Sequence, residues 1–167
     1  SALLAGTNNI GIGLTAGDAL TTGTDNIAIG RLAASATPDG ADNIAIGRSA
    51  FAVSDGVADC NIAIGLSALG GADVSGLSNI AIGSLAMDAL TTGICNIAMG
   101  TNALGASTTG CNNIAIGELA LGAGTLACGG AGQAEGNIAI GESALTVMTT
   151  GSNNIGIGLT SGDALTT

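Results

Sequence analysis

One short motif recurs along almost the whole chain: Asn, Ile, Ala or Gly, Ile or Met, then Gly. Its nine copies begin at Asn9, Asn26, Asn43, Asn61, Asn79, Asn96, Asn113, Asn137 and Asn154. The steps between them are 17, 17, 18, 18, 17, 17, 24 and 17 residues. Steps this regular are typical of repeat architectures, in which each repeat is one unit that stacks on the next. We therefore predict a single repeat array over 1–167.

Within each motif the isoleucines are two residues apart, as in Ile27 and Ile29. This is the period of a β-strand, in which alternate side chains point to the same face. We expect the isoleucines to face inward and form the core. The residue between them, such as Ala28, is always Ala or Gly. So strict a restriction indicates that another backbone approaches closely, which we expect to be a neighbouring chain on the outer face.

After the strand, the closing glycine indicates a bend. A small residue follows three positions later and is often succeeded by a large apolar residue, as in Ala103 and Leu104. This pair predicts a second inward wall, and several coils then turn back at Thr-Thr-Gly. The fold class predicted is all-β: a parallel β-solenoid of about nine coils of 17–18 residues, with two short strands per coil. The asparagine that opens every motif predicts a ladder of side-chain amides along the stack, which is a structural role.

Composition excludes several classes of function. The chain has 12 acidic residues against two basic ones, Arg31 and Arg48, and a formal net charge of −10. Nucleic acids and negatively charged membrane surfaces are bound by basic faces, so we expect neither as a partner. No run of about twenty apolar residues occurs, so we predict no membrane insertion. The chain contains neither histidine nor lysine, and we expect no enzymatic activity and no catalytic residues.

The four cysteines are Cys60, Cys95, Cys111 and Cys128. They form no C-x-x-C pair, so a zinc site is not indicated. Cys95 and Cys111 lie near the same corner of adjacent coils, which makes a disulfide between them one alternative. Cys111 with Cys128 is another, and buried free thiols are a third. We expect no cofactor; the carboxylates leave a calcium role open, although no Asp/Gly spacing recurs from coil to coil.

The first and last coils are almost identical. Residues 6–22 recur at 151–167 with two differences, Thr7/Ser152 and Ala16/Ser161, at an offset of 145 residues. We interpret this as a superrepeat of a longer tandem fibre, of which the chain is one window. The 24-residue step adds seven residues near 125–135. Insertions of this kind form surface loops, often on an interacting face.

The repeat N-I-A-I-G-x-x-A-L-x-x-x-T-T-G-x-N resembles the YadA-like head repeats of trimeric autotransporter adhesins. It is similar also to the N-T-A-I-G repeats of bacteriophage tail fibres. The likeness covers the nine motif copies, for example Asn26, Ile27, Ala28, Ile29 and Gly30. It implies a left-handed β-roll, three chains side by side and a role in adhesion.

These observations predict a structural subunit of an extracellular or cell-surface filament with an adhesive role, which self-associates as a homo-oligomer. By resemblance the oligomer is a trimer, and a cell-surface receptor or glycan is a candidate ligand. The alternative is a phage tail fibre in the virion tail that binds a receptor. An ice-binding solenoid is a third hypothesis, since some flat solenoids present threonine ladders. The coils that begin at Asn26, Asn43 and Asn61 lack the Thr-Thr pair, which argues against a lattice-matched face.

Overall fold

A computed structural model describes residues 6–37, 39–54, 57–129 and 133–166. Within these ranges, nine β-strands of three residues each form one parallel sheet in sequence order. They are β1 (Ile10–Ile12), β2 (Ile27–Ile29), β3 (Ile44–Ile46), β4 (Ile62–Ile64), β5 (Ile80–Ile82), β6 (Ile97–Met99), β7 (Ile114–Ile116), β8 (Ile138–Ile140) and β9 (Ile155–Ile157). Each strand pairs with the next one along the chain, and about eight turns of a β-solenoid result. The predicted all-β solenoid is confirmed.

The coils stack in register, so equivalent residues form columns. Ala28 lies beside Ala45, and Ile27 and Ile29 lie beside Ile44 and Ile46. The register is kept at the 18-residue coils and across the long coil, where Ala115 pairs with Ala139. Extra residues are therefore absorbed in the turns. Among the described residues no helix is long and apolar enough to span a membrane.

The strand faces the opposite way from our prediction. The central alanines, such as Ala28, Ala45 and Ala63, are completely buried, while the flanking isoleucines are only half-buried or are exposed. The close backbone that restricts this position belongs to the same coil rather than to a neighbouring chain. A Cβ atom added at Gly11 would lie 3.0 Å from the carbonyl oxygen of Ala16, on the opposite wall. The coil is too narrow at the strand to accept more than a methyl group.

The core consists of that alanine column and of the opposite wall. Ala103 and Leu104 are 0% and 1% exposed, and the equivalent pairs in the other central coils are buried as well. The predicted second inward wall is therefore confirmed. A further buried column comes later in the coil and includes Leu20, Leu90 and Met148.

The prediction of two strands per coil is wrong, because the second wall is built from turns. Two successive residues of a strand point to opposite faces, yet Ala103 and Leu104 both point inward. The backbone allows this because Leu104 has a φ of 51°, in the left-handed region. Hydrogen bonds still join this wall from coil to coil, for example from the Leu104 amide to the Ala120 carbonyl oxygen at 3.0 Å.

Candidate functional site

The outer face of the sheet carries two parallel columns of isoleucine, which we call the isoleucine face. The first column contains the first isoleucine of every strand, and the second contains the other isoleucines and Met99. In the central strands the side chains are half-buried, because their stacked neighbours cover their flanks. Towards the C-terminal half the second column is more exposed, with Met99 at 40% and Ile116 at 36%.

The isoleucine face is large and uninterrupted. Nine strands at ~4.8 Å spacing make a strip ~38 Å long, and two side-chain columns two residues apart make it ~10 Å wide, which gives ~400 Å². Every strand position that points to this face is Ile or Met, so no polar side chain breaks it. The largest apolar patch on the surface of a typical monomer has a similar area and is often functional. This surface can therefore bind the apolar surface of a partner.

Two columns of residues border the isoleucine face. The corner column contains the residue before each motif asparagine: Asn8, Asp25, Asp42, Cys60, Ser78, Cys95, Asn112, Gly136 and Asn153. All of these residues have positive φ, between 57° and 68°. The strand-end column contains the residue after each closing glycine: Leu14, Arg31, Arg48, Leu66, Ser84, Thr101, Glu118, Glu142 and Leu159. Arg31, Arg48, Glu118 and Glu142 are exposed, so all charge on this column lies at the rim of an apolar strip.

The asparagine ladder is present and is placed just inside the corner column. The Oδ1 atom of Asn79 accepts the backbone amide of Asn96 at 3.0 Å and its Nδ2 atom at 3.1 Å. The Nδ2 atom of Asn79 donates to Asn61 Oδ1 at 3.1 Å and to the carbonyl oxygen of Gly93 at 2.9 Å. Asn79 thus joins its own coil to the coils on either side and also closes its own coil at the turn. From Asn26 to Asn137 these side chains are buried, so the predicted structural ladder is what the fold contains.

The cysteines follow the second of the predicted alternatives. Cys111 and Cys128 form a disulfide with a Cα–Cα distance of 5.6 Å. Both are fifteen residues after their motif asparagine, so stacking places them one above the other. Cys95 is one position further along its coil, in the corner column, and is a free, exposed thiol. The pairing of Cys95 with Cys111 is therefore wrong, because a one-residue offset at the corner sends the two side chains in different directions.

The seven-residue insertion leaves the solenoid directly after this disulfide. Ala127 still pairs with Thr109, and the chain returns at Glu135, which pairs with Cys111. The amide of Ala134 donates to the carbonyl oxygen of Ala127 at 2.7 Å and closes the base of the loop. Part of the predicted insertion, 130–132, lies outside the described residues. The remainder forms a loop on the corner side of the solenoid, anchored by the disulfide.

The acidic residues that the structure describes do not converge on a metal site. In the described ranges no group of three or more Cys, Asp or Glu side chains is placed to hold a metal ion. Burial raises the pKa of Asp88 above its ordinary value, although hydrogen bonds from the backbone at Asp88 and Ala89 oppose the shift. The threonine pairs bond to the protein itself: Thr22 donates to Asp39 at 2.6 Å, and Thr91 donates to the Thr108 carbonyl oxygen at 2.9 Å.

The isoleucine face is a surface that we did not predict from the sequence, because the isoleucines were expected to lie inside. One signal could have indicated it. Each coil already contains a strand alanine, a second alanine and a large apolar residue, and these are enough to fill a narrow interior. Two further isoleucines per coil exceed what such a section can hold.

Comparisons with protein-family models, with curated proteins and with solved structures find no match.

Proposed function

We propose that this chain is a non-enzymatic structural segment of an extracellular or cell-surface fibre, and that further copies of the chain cover the isoleucine face. The observation that supports this is the continuous apolar strip on an otherwise acidic molecule. Burial of apolar surface contributes about 25 cal/mol per Å², so covering ~400 Å² on each of two partners represents ~20 kcal/mol before the costs of association.

A second copy of the chain is the occupant that the pattern favours. The face is a straight, periodic strip with the spacing of the coils, and an identical strip offers the same period and length. Homo-oligomers with closed symmetry are the commonest assemblies of soluble proteins. The resemblance to trimeric adhesin heads supports three chains per fibre. The Cys111–Cys128 disulfide supports a location in an oxidising compartment, as expected for an extracellular fibre.

The role of self-association is tested by replacing face residues with charged ones. Ile64→Asp combined with Ile82→Asp places two carboxylates on the outer face of β4 and β5. We expect a folded monomer by sedimentation equilibrium, with the circular dichroism of the wild type. Val53→Asp with Val147→Asp is the matched control, since these residues are 41% and 40% exposed and lie away from the face. A wild-type chain that stays monomeric at all concentrations would refute the proposal.

An adhesive role is a separate part of the proposal and rests on the resemblance. Electron microscopy of the intact assembly distinguishes a filament from a short appendage or tail fibre. Binding to cells or to a glycan array tests adhesion, and we expect the insertion near 125–135 to contribute, because insertions in repeat arrays often lie on an interacting face. Unchanged binding after removal of the loop would exclude that contribution.

A further inference from the structure

The charged residues at the rim of the isoleucine face occur in matched pairs. Arg31 and Arg48 are the only basic residues of the chain and occupy the strand-end column in the coils of β2 and β3. The same two coils are the only ones with an aspartate in the corner column, Asp25 and Asp42. The sequence D-N-I-A-I-G-R therefore occurs twice, with opposite charges on opposite edges of the face.

In the described part of the chain these opposite charges do not pair with each other. Arg31 lies six positions after Asp25, and strand β2 runs between them, so the two residues stand at opposite edges of the face. Over the ranges that the structure describes, neither arginine makes a salt bridge. Asp25 accepts a hydrogen bond from Asn8 Nδ2 at 2.8 Å, so its carboxylate is already oriented at the corner. Both edges are exposed and available to a neighbouring molecule.

We propose that copies of this chain associate in parallel with their coils in register, and that Arg31 and Arg48 of one copy pair with Asp25 and Asp42 of the next. This inference rests on the proposed self-association through the isoleucine face and specifies its geometry. Contact between two different edges is a heterologous contact, which closes into a ring when the rotation permits. The coils of β2 and β3 then each contribute a positive edge to one neighbour and a negative edge to the other.

The remaining rim residues are compatible with this register. Opposite Glu118 and Glu142 the corner column has Asn112 and Gly136, so no two acids meet. A slip of one coil would keep only one of the two ion pairs, and a larger slip would keep neither. The isoleucines alone cannot prevent such a slip, because every coil except that of β6, which has Met99, presents the same pair. The charges therefore supply register and orientation, as charged rims do at other interfaces.

An antiparallel packing about β5 is the competing arrangement. It would bring Arg31 near Glu142 and Arg48 near Glu118, and would leave both aspartates opposite uncharged residues. The parallel arrangement is favoured because both of its partners come from one coil, and the sheet fixes them at the same height.

Isosteric neutralisation separates the two arrangements. Asp25→Asn with Asp42→Asn removes the corner charges, and asparagine suits positive φ at both positions. The matched control, Glu118→Gln with Glu142→Gln, removes the same number of charges from the strand-end column. We expect the aspartate variant to weaken self-association about tenfold at low salt, with little loss at high salt, and the glutamate variant to associate at least as well as the wild type. Weakening by the glutamate variant alone would overturn the inference.

Cross-linking tests the register directly. In a Cys95→Ser background, Leu66→Cys places a thiol on the strand-end edge of the coil whose corner is the exposed Cys60. With oxidised glutathione as the oxidant, parallel in-register chains should form covalent multimers on a non-reducing gel. Thr101→Cys in the same background is the mismatch control and should not cross-link, because it lies two coils away from Cys60.

The outcomes also separate this inference from the proposed function. A monomeric wild type would refute both. An assembled wild type that loses association in the Ile64→Asp/Ile82→Asp variant, but gives equal cross-linking at positions 66 and 101, would leave self-association in place and refute the register.

Discussion

At the scale of the residue, the unusual feature is the number of non-glycine residues with positive φ. They recur at set positions in each coil, and several are large and apolar, such as Phe51, Leu69 and Leu104. A left-handed conformation costs roughly 1–2 kcal/mol for a residue with a Cβ atom. Complete burial of a leucine side chain contributes about 1.5–3 kcal/mol. Burial therefore exceeds the conformational cost by a small margin, which explains why leucine is used where glycine would be less strained.

This balance predicts an inverted order of substitutions at Leu104. Leu104→Ala loses the burial and keeps the strained φ, so we expect a loss of about 2–4 kcal/mol in the free energy of unfolding. Leu104→Gly loses the same burial but also removes the strain. We therefore expect it to be more stable than Leu104→Ala by up to about 1 kcal/mol. Leu90 is buried and is not among the residues with positive φ. There the usual order should hold, with glycine worse than alanine in urea denaturation; the same order at both sites would contradict the argument.

Asp88 gives a pH-dependent effect whose sign follows from its raised pKa. Because burial disfavours the ionised form, the folded state binds the proton more tightly than the unfolded state does. The carboxyl group has a pKa of about 3.9 in the unfolded state. At a pH below this value it is protonated in both states, and its ionisation does not change the free energy of unfolding. As the pH rises through the folded pKa, stability is lost. We expect Asp88→Asn to raise the melting temperature at pH 7 and to leave it unchanged near pH 3. A lower melting temperature at pH 7 would show that the backbone hydrogen bonds dominate.

At the scale of the element, each coil is held to the next by two columns in which every coil has the same residue. The closing glycines form the first. Gly83 has a φ of 136°, and a Cβ atom there would lie 2.5 Å from the Gly100 carbonyl oxygen of the next coil. The buried asparagines form the second. The glycine column lies at the end of each strand and the asparagine column at its start. Together they fix the register of the sheet from both sides.

Gly83→Ala should therefore be among the most damaging single changes. The added methyl group meets backbone atoms, which cannot move without separating two coils, and the φ is strained in addition. We expect a loss of about 3–6 kcal/mol, measured by chemical denaturation. Gly129→Ala is the control, because Gly129 also has positive φ, 82°, but nothing lies within 4 Å of its added Cβ. A loss of only about 1 kcal/mol is expected there. Equal losses of stability in the two variants would mean that the positive φ, and not the close approach of the next coil, restricts this column to glycine.

Asn79→Ala should remove a junction between three coils. It leaves the buried backbone amide of Asn96 without its acceptor at 3.0 Å and the Gly93 carbonyl oxygen without its donor. Unsatisfied buried groups cost about 1–3 kcal/mol each, so we expect a loss of about 2–5 kcal/mol. As a control, Asn112→Gly removes an exposed amide at a φ of 57° and should be nearly neutral. Hydrogen exchange should show the Asn96 amide among the protons that lose most protection.

At the scale of the whole molecule, the stack is a linear object with a formal net charge of −10 and two basic residues. Each coil contacts its neighbours in the stack, so stability grows coil by coil. Charges of one sign along such an array repel one another, and salt screens that repulsion over about 10 Å at 0.1 M. A net charge of this size favours the solubility of a protein with a large apolar face, at a cost in stability.

Added sodium chloride should therefore stabilise the solenoid. We expect the melting temperature of the Ile64→Asp/Ile82→Asp monomer to rise by about 2–5 °C between low salt and 0.5 M, in differential scanning calorimetry. The monomeric variant is used so that association does not contribute. The same titration at a pH below the ordinary carboxyl range is the control, and there the increase should be much smaller. An equal increase at both pH values would indicate a salt effect other than charge screening.

The sequence by itself determined the coil. The period of the asparagines, the strand spacing of the isoleucines and the closing glycine were sufficient for the parallel solenoid, because each constrains a local backbone conformation and repeats nine times. The asparagine ladder followed as well, since a polar residue repeated in register has its own copy as a partner.

Only the tertiary structure decided which strand face is the interior. A period of two defines two faces but gives no distance to the opposite wall, and hydrophobicity alone assigned the isoleucines to the inside. The narrow section of the coil reverses this, because only Ala or Gly fits between the strand and the carbonyl group at Ala16 or its equivalents. The partner of Cys111 was likewise decided by stacking at a corner, where one residue of offset changes the direction of a side chain. Both are properties of distances across the fold, which no local pattern contains.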